Sequence, residues 1–560
     1  MRPLALFLPL LLLVPACTPV GESADIVFQN ATVYTGDDAS PTAEAVAVKD
    51  GRVLFVGSTR EAGRHIGAET RVVELNGATV LPGLIDAHVH LARIGEREIT
   101  LNLEGLNSLE EFLAAVKARV DQAAPGEWVT GRGWIETFWT PPTFPTRQDL
   151  DAIAPDNPVF LTRADGHASI TNSAALRLAG ITRATQAPAG GAINTDAAGE
   201  PTGMLIDAAQ GLVRRLVPPI SDAERDRQII LGAQREVELG WTAVHDAHGS
   251  LNEAERMRRL YREGQVELRI FKAISGPSDD ADSLIRMGPS SGEFDGRFAL
   301  RSIKAVMDGA LGSRGALLLA PYSDDSTTSG LITTDTVRLA GMLGEALRAG
   351  VQVQIHAIGD RGNRILLDMY ERAFAAVPAA ERPAAEPRWR NEHAQIVNPA
   401  DLPRFKELGI IASMQPSHAI GDLHFVPARI GLERTEGAYA WQTLLAMGVP
   451  VAGGSDAPVE RGEPMIEFYA AVARKDVRGF SGEGWHPEEA VTRQQALKMF
   501  TYWPAYAAFE ETERGTISVG KWADLTVLSA DIMQVPVEEI LTTRNVMTVI
   551  NGQIVYQAEP

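Results

Sequence analysis

Cysteine is nearly missing from the 560 residues, with Cys17 standing alone. An intramolecular disulfide and a cysteine-rich zinc site are thereby excluded, so any metal must be held by His, Asp, Glu or a modified Lys. After the N-terminal stretch no apolar run is long enough to cross a membrane as a helix. No basic tract of the nucleic-acid-binding kind occurs. The 52 Lys and Arg against 72 Asp and Glu leave a formal charge of −20. Such an acidic surface favours solubility and repels phosphate backbones, and it carries no information about a substrate. No GxGxxG or P-loop follows a strand pattern, and there is no internal repeat or low-complexity tract. The remainder is of ordinary globular composition, 45% hydrophobic and 22% charged, at a length that fits one large barrel plus a smaller domain.

The N-terminus reads as an export signal. Arg2 gives a short positive start, and Leu4–Val14 is an apolar run broken by Pro9. This length matches the h-region of a signal peptide rather than a membrane span. Val14-Pro15-Ala16-Cys17 resembles the lipobox of bacterial lipoproteins, whose cysteine becomes the lipidated N-terminus. The expectation is lipidation at Cys17, a tether over 18–24, and a place in the cell envelope, lipid-anchored on the periplasmic side or secreted. An ordinary cleaved signal peptide with an incidental cysteine is the alternative.

Short strands follow: 26–28, 32–34, 45–48 and 53–56, with the hairpin signal Asp50-Gly51 between the last two. Val72–Leu75, Asn76-Gly77 and Thr79–Leu81 read as a further strand pair with a turn. The C-terminus has the same texture, with strands at 524–528 and 546–550 and an Asn551-Gly552 turn into 553–556. Two β-rich ends (25–82 and 515–560) thus pack as one small β-sandwich. The middle, 83–514, alternates strands and helices. Pro158–Thr162, Trp241–His245, Leu268–Ile274, Ile303–Met307, Val351–His356, Ile410–Met414 and Val449–Ala452 read as short buried strands. Ser108–Gln122, Asp222–Leu239, Thr336–Arg348, Gly362–Ala375 and Pro399–Leu408 read as helices. Ser108 and Glu111 have capping-box spacing. Alternation of this kind calls for a parallel sheet, closed or doubly wound. The Pro- and Gly-containing stretch 131–220 reads as inserted loops or a lid.

Chemistry concentrates at strand ends. In Pro82-Gly83-Leu84-Ile85-Asp86-Ala87-His88-Val89-His90, the i, i+2 spacing points both imidazoles to one face of a strand, half of a divalent metal site. An isolated HxH is weak evidence. Here His356 ends an apolar strand, His393 follows Arg390-Asn391-Glu392, and Asp456 sits in Gly453-Gly454-Ser455-Asp456 after Val449–Ala452. In a (β/α)8 barrel the active site lies at that end of the strands.

With these segments the chain resembles the amidohydrolase superfamily, specifically the amidohydrolase-3 (YtcJ-like, N-substituted formamide deformylase-like) group. The resemblance runs from residue 25 to the end, through PGLIDAHVHL, Asp165-Gly166-His167-Ala168 with Asn172–Leu176, Ile303–Gly309, VQIHAIGDRGN, RNEHAQ and GGSDAPV. It implies a (β/α)8 TIM barrel and two divalent ions, zinc first, with Mn, Fe or Co compatible. His88, His90 and Asp456 would hold one ion, His356 and His393 the other, and a carboxylated Lys304 would bridge them. An unmodified Lys304 paired with Asp308 is the alternative. The implied reaction is hydrolysis of a non-peptide amide (N-acyl, N-formyl or cyclic) by metal-activated hydroxide. Asp456 would serve as general base and acid, and His167 would stabilise the oxyanion or bind substrate.

Arg314 is a candidate for a substrate carboxylate. Trp134, Phe138 and Trp139 are candidates for the pocket wall. His245 and His248 are spare candidates near a strand end. The expected partners are a small amide-like molecule and, through the lipid alone, a membrane. Ester, lactone or deamination chemistry at the same site, and a lipid-anchored binding protein without turnover, stay open. Oligomeric state is not readable, and a homo-oligomer is left open.

Overall fold

The computed structural model describes residues 22–559 apart from 137, 138, 165, 167, 189, 190 and 482–485. Cys17, His167 and Phe138, singled out above, lie outside the described residues. Eight strands succeed one another as neighbours in one parallel sheet. They are β1 (Leu84–Val89), β2 (Trp241–Asp246), β3 (Arg269–Ser275), β4 (Phe298–Val306), β5 (Gln352–Ala357), β6 (Arg390–His393), β7 (Ile411–Met414) and β8 (Val451–Gly453). Every residue of β1 and β2 is buried, as expected where helices cover one face and a barrel interior the other. The barrel closes where β1 meets β8. Val89 bridges Ala457 in parallel, the Asp456 N–H donates to the His88 carbonyl at 2.7 Å, and the His90 N–H donates to the Ala457 carbonyl at 2.8 Å. The expected TIM barrel is therefore present.

Small side chains line the floor of the barrel. Ile85 and Ala243 meet Ala505, and Ala87, Ile411 and Ala452 meet Ala507. The helix Tyr502–Ala507 can plug this end because alanines leave room for it.

Outside the barrel, α1 (Leu91–Ile99) packs on α2 (Asp222–Leu239) through glycines. A Cβ on Gly95 would fall 1.7 Å from the Gln228 carbonyl oxygen, and one on Gly232 would fall 2.3 Å from that of Leu91. Only glycine lets the two backbones touch.

On α2, Glu236 is fully buried and neither carboxylate oxygen has a partner among the described residues. Burial, reinforced by nearby Asp86, pushes it well above the ordinary carboxylate value. Below that ordinary value both folded and unfolded chains hold the proton. As pH rises, the unfolded chain releases it first, so the contribution of Glu236 to stability falls until the folded value is passed. Glu236→Gln should therefore gain more in Tm over wild type at pH 8 than at pH 5.5. A difference independent of pH would show that Glu236 is not held protonated.

The two chain ends share a six-stranded sheet, in which Thr79–Pro82 pairs with Leu525–Leu528 and with Thr32–Tyr34. A four-stranded sheet, in the order 52–57, 45–49, 26–29 and 71–74, accompanies it. The hairpin signals have the backbone expected of them. Asp50-Gly51 and Asn551-Gly552 both carry positive φ at each central residue, the requirement of a type I′ turn. Asn76-Gly77 does as well, but the strands it joins do not pair. Arg71–Glu74 lies parallel to Ile26–Gln29, and Thr79–Pro82 belongs to the other sheet. This turn carries the chain between sheets, which a local pattern of strand–turn–strand does not distinguish from a hairpin.

The stretch read as loops also differs. A six-stranded sheet comprises Leu101–Asn102, Val129–Trp134, Val159–Arg163, Ala168–Thr171, Gly191–Thr195 and Pro201–Asp207. It begins thirty residues before the expected insertion and includes Pro158–Thr162, read above with the barrel strands. Its own core, with Phe112, Val129, Leu150, Leu161 and Ile170, explains the difference. The glycines there serve close approach, since a Cβ on Gly131 would fall 2.6 Å from the Leu101 carbonyl oxygen. The Ser108 hydroxyl caps the helix Leu109–Val120 through the Glu111 N–H, but the Glu111 carboxylate accepts from the Asn107 N–H rather than from Ser108, so only half of the expected capping box forms.

Candidate metal centre

His88 is the penultimate residue of β1, and the strand ends at Val89, so His90 reaches the site from the N-cap of α1. Asp456 lies just beyond β8 with φ +61°. Asp86 braces these two segments. One of its oxygens accepts from the His88 N–H at 3.0 Å and from the Ser455 N–H at 2.9 Å. Burial pushes Asp86 up to about 7. Gly454 of GGSD is a consequence of this contact, because a Cβ there would sit 2.6 Å from the His88 nitrogen and 2.9 Å from Asp86, while Gly453 makes room for the Phe500 ring.

The resulting arrangement is compact. Asp456 Oδ1 faces His90 Nε2 at 3.2 Å and His88 Nε2 at 3.6 Å, while Oδ2 faces His418 Nε2 at 3.6 Å. The His393 ring centroid is 4.5 Å from that of His356, 4.9 Å from that of His88 and 5.7 Å from that of His418. His88 Nε2, His356 Nε2, His418 Nε2 and Asp456 Oδ1 are buried without a hydrogen-bond partner among the described residues. Buried polar atoms are ordinarily satisfied, and a set of unsatisfied donors of these types in one place fits a divalent cation.

Electrostatics prepare the groups for that role. Burial, with Lys304 next, lowers His88 and takes His356 down to about 3, and burial with His356 places His393 well below its ordinary value. These imidazoles are therefore neutral and free to act as ligands. Burial alone would raise Asp456, but His88, His90, His393 and His418 together hold it well below the ordinary carboxylate range. Asp456 is ionised.

Two partners set the orientation of the rings. The His88 Nδ1–H donates to Glu392, which leaves Nε2 toward Asp456. His393 Nδ1 lies 2.8 Å from Gln415 Oε1, leaving its Nε2 free in the same way. Glu392 is fully buried. Burial works to raise it, and His88, Arg390 and Lys304 outweigh that and hold it low. Carboxylates behind ligating histidines ordinarily contribute roughly 10–100-fold to metal affinity. Glu392→Gln should lower affinity by that order in a chelator competition, and wild-type affinity would mean that Glu392 only packs.

Lys304 on β4 is buried, and burial pushes its ammonium down against the pull of Glu392 and Asp456. Among the described residues it makes no hydrogen bond and no ion pair within 4 Å. The alternative pairing with Asp308 is not formed. Asp308 instead accepts from the N–H groups of Leu317, Ile358 and Gly359 at 2.8, 3.0 and 2.9 Å, and its nearest ring nitrogen is His356 Nε2 at 3.6 Å.

The remaining candidates lie elsewhere. Trp134 is no pocket wall. It is fully buried, donates to the Leu161 carbonyl at 3.1 Å and packs on Phe112 and Trp139 in the core of the inserted sheet. Its neighbour Trp139 belongs to the same core. An indole enclosed in this way has no face left for a substrate. Arg314 directs its fork at Asp324, at 3.1 and 2.9 Å, so the group that would grip a substrate carboxylate already has one. His245 is bound to Arg390 at 2.8 Å in the barrel interior. His248 is exposed, with its ring 6.1 Å from that of His90.

The sequence reading missed His418, Glu392, Gln415 and the bracing role of Asp86. Glu392 was visible as the neighbour of His393, and Asp86 as part of the first-strand motif. His418, on the short helix Pro416–Asp422, carried no strand-end signal.

A parallel barrel that gathers histidines and a carboxylate at the C-terminal ends of its strands is a framework for metal-dependent hydrolysis. The chain belongs to the amidohydrolase family, whose family model matches residues 71–556. It is 36% identical to the protein LONG AFTER FAR-RED 3 of Arabidopsis thaliana, over 92% of this chain and 88% of that one. It is 34% identical to YtcJ of Bacillus subtilis, over 95% and 99%, and 30% identical to the N-substituted formamide deformylase of Arthrobacter pascens, over 96% and 99%. Among solved structures it resembles a metal-dependent hydrolase of Pyrococcus furiosus, with a TM-score of 0.73 and 28% identity over 91% of this chain and all of that one. The chain is thus a hydrolase of the metal-dependent kind, with His and Asp candidates for the ligands.

Proposed function

We propose that this protein hydrolyses a non-peptide carbon–nitrogen bond in a small N-acyl, N-formyl or cyclic amide. The observation that carries the reading is the set of unsatisfied nitrogens of His88, His356 and His418 converging around an ionised Asp456. His88, His90 and Asp456 would hold a divalent ion, which would supply Lewis acidity toward water and toward a carbonyl oxygen. Asp456 accepts a proton from the attacking water and delivers it to the leaving nitrogen as the C–N bond breaks. The water's oxygen stays on the acyl carbon, and an acid and an amine leave. Glu392 and Gln415 keep the rings from turning, and Asp86 keeps Asp456 against β1. The kinship with a formamide deformylase supports an amide as the bond broken.

The test is a panel of N-formyl, N-acyl and cyclic amides with matched esters and lactones, assayed on the full chain loaded with Zn, Mn or Co. Metal-dependent turnover of amides above esters is expected. Turnover confined to esters would replace the amide with an ester. Bound metal without turnover on any of them would favour a binding role.

The anchor expected at Cys17 belongs to the same proposal. Cys17→Ser should move the chain from the membrane fraction of a bacterial cell to the soluble one, and unchanged fractionation would remove the anchor.

A further inference from the structure

We infer that Glu460 selects the substrate, its carboxylate receiving a cationic group on the amine portion of the amide at the rim of the barrel mouth between β7 and β8. The inference rests on the hydrolase reading above and narrows its substrate to amides of a diamine or another amine that carries a second basic group.

The placement comes first. Glu460 lies four residues beyond Asp456, in the segment that leads away from β8. Its carboxylate rests against the helix Pro416–Asp422, since a Cβ on Gly421 would stand 3.7 Å from Glu460 Oε1. Gly421 follows His418 by three positions, a spacing that puts both on one face of the helix. His418 in turn faces Asp456 Oδ2 at 3.6 Å. Asp456, His418 and Glu460 therefore follow one another from the candidate metal centre to the rim, where Gly421 and Val459 are exposed.

The segment is fixed while the side chain on it has no partner. The Glu460 carbonyl accepts from Arg97 at 3.4 Å, the Val459 N–H donates to the Asp456 carbonyl at 2.9 Å, and the Trp241 Nε1–H donates to the Gly462 carbonyl at 2.8 Å. Glu460 is half-buried, yet its carboxylate makes no hydrogen bond and no ion pair within 4 Å among the described residues. The cations of the neighbouring chain are engaged elsewhere. Arg97 directs its N–H groups at the carbonyls of Glu460 and Arg461, and Arg461 pairs with Glu463 at 2.6 Å.

The surroundings favour a positive ligand. Burial pushes Glu460 up to about 7, with Asp422, Asp456 and Glu104 adding to it and His418 opposing. Asp422 is already bonded to Gln395 and Tyr439. A cation beside Glu460 would supply the missing partner and offset the crowding of like charge. His418 adds an independent sign of a ligand on this face, being 8% exposed with neither ring nitrogen bonded among the described residues.

Asp456 decides which end of the substrate lies here. Its Oδ1 turns to His88 and His90, and its Oδ2 turns to His418. Its proton is therefore delivered to the leaving nitrogen on the His418 side, and the amine portion extends from there toward Glu460.

The test uses zinc-loaded full-length protein and the formyl and acetyl amides of diaminobutane, pentylamine and aminopentanoate. These are matched in length and end in an ammonium, a methyl and a carboxylate. Wild type should favour the ammonium over the methyl amide in kcat/KM by roughly 10–100-fold, the range of a bond to a charged group, and should turn over the carboxylate amide least. Glu460→Gln should bring the ammonium and methyl amides close to parity. Equal treatment of these two by wild type, which needs no variant to fold, would overturn the inference, as would a Glu460→Gln protein that keeps the wild-type preference. Turnover of the methyl amide without that preference would leave the hydrolase reading intact. Where none of the amides is turned over, the hydrolase reading fails on these compounds, and their binding to wild type and Glu460→Gln, measured by calorimetry, decides the role of Glu460 by the same ratios.

Discussion

Replacing Asp456 by Asn should lower kcat on the best amide substrate by about 10²–10⁴-fold, the range that positioned acid–base groups contribute. The amide is the same size and keeps the backbone N–H that closes the barrel on the His88 carbonyl, so Tm should stay near that of wild type. The loss arises because an amide oxygen, though it can still face a cation, cannot take up a proton at neutral pH and return it. Asp456 is placed for that exchange, buried with Oδ1 3.2 Å from His90 Nε2 and 3.6 Å from His88 Nε2. Measuring kcat, KM and Tm together separates this from simple loss of fold. A near-normal kcat would remove Asp456 as the proton carrier.

Gly454→Ala should damage the fold and the site together. The new carbon would stand 2.6 Å from the His88 backbone nitrogen, an atom that cannot rotate away. Overpacking of this kind costs about 1–3 kcal/mol, and relief requires β8 to back away from β1. That movement separates Asp456 from His88 and His90, so metal content should fall along with Tm. Gly63→Ala, where a Cβ would meet nothing within 4 Å, serves as the control. Wild-type Tm and metal content in Gly454→Ala would refute the account of the seam.

The parts of the site that were legible in the sequence are those written locally. His88 and His90 announce themselves by spacing on a strand, and His356, His393 and Asp456 by following apolar runs. Each is set by its own few neighbours. Glu392 is different, since the ring it orients lies 304 residues away, and no local pattern encodes that distance. His418 follows β7 on a helix of seven residues and lacks the strand-end position that marked the others. Trp134 was misplaced for the opposite reason. Its glycine-rich surroundings suggest a loop, whereas Gly131 and Gly133 let neighbouring segments come close enough to bury the indole. The joining of both chain ends into one sheet followed from matching turn signals, while the partners of Arg71–Glu74 and Thr79–Pro82 depended on contacts from far along the chain.

The contact between β1 and β8 has a consequence for the order in which the protein comes to life. His88 and Asp456 are 368 positions apart, and the bonds that shut the barrel are made by the same two segments that carry the candidate ligands. A growing chain therefore holds imidazoles but no centre until the last strand is delivered. An ion held by His88, His90 and Asp456 would act as a clasp across the seam. Its binding energy is added to closure, and its removal should loosen β1 against β8 before any other pair of strands.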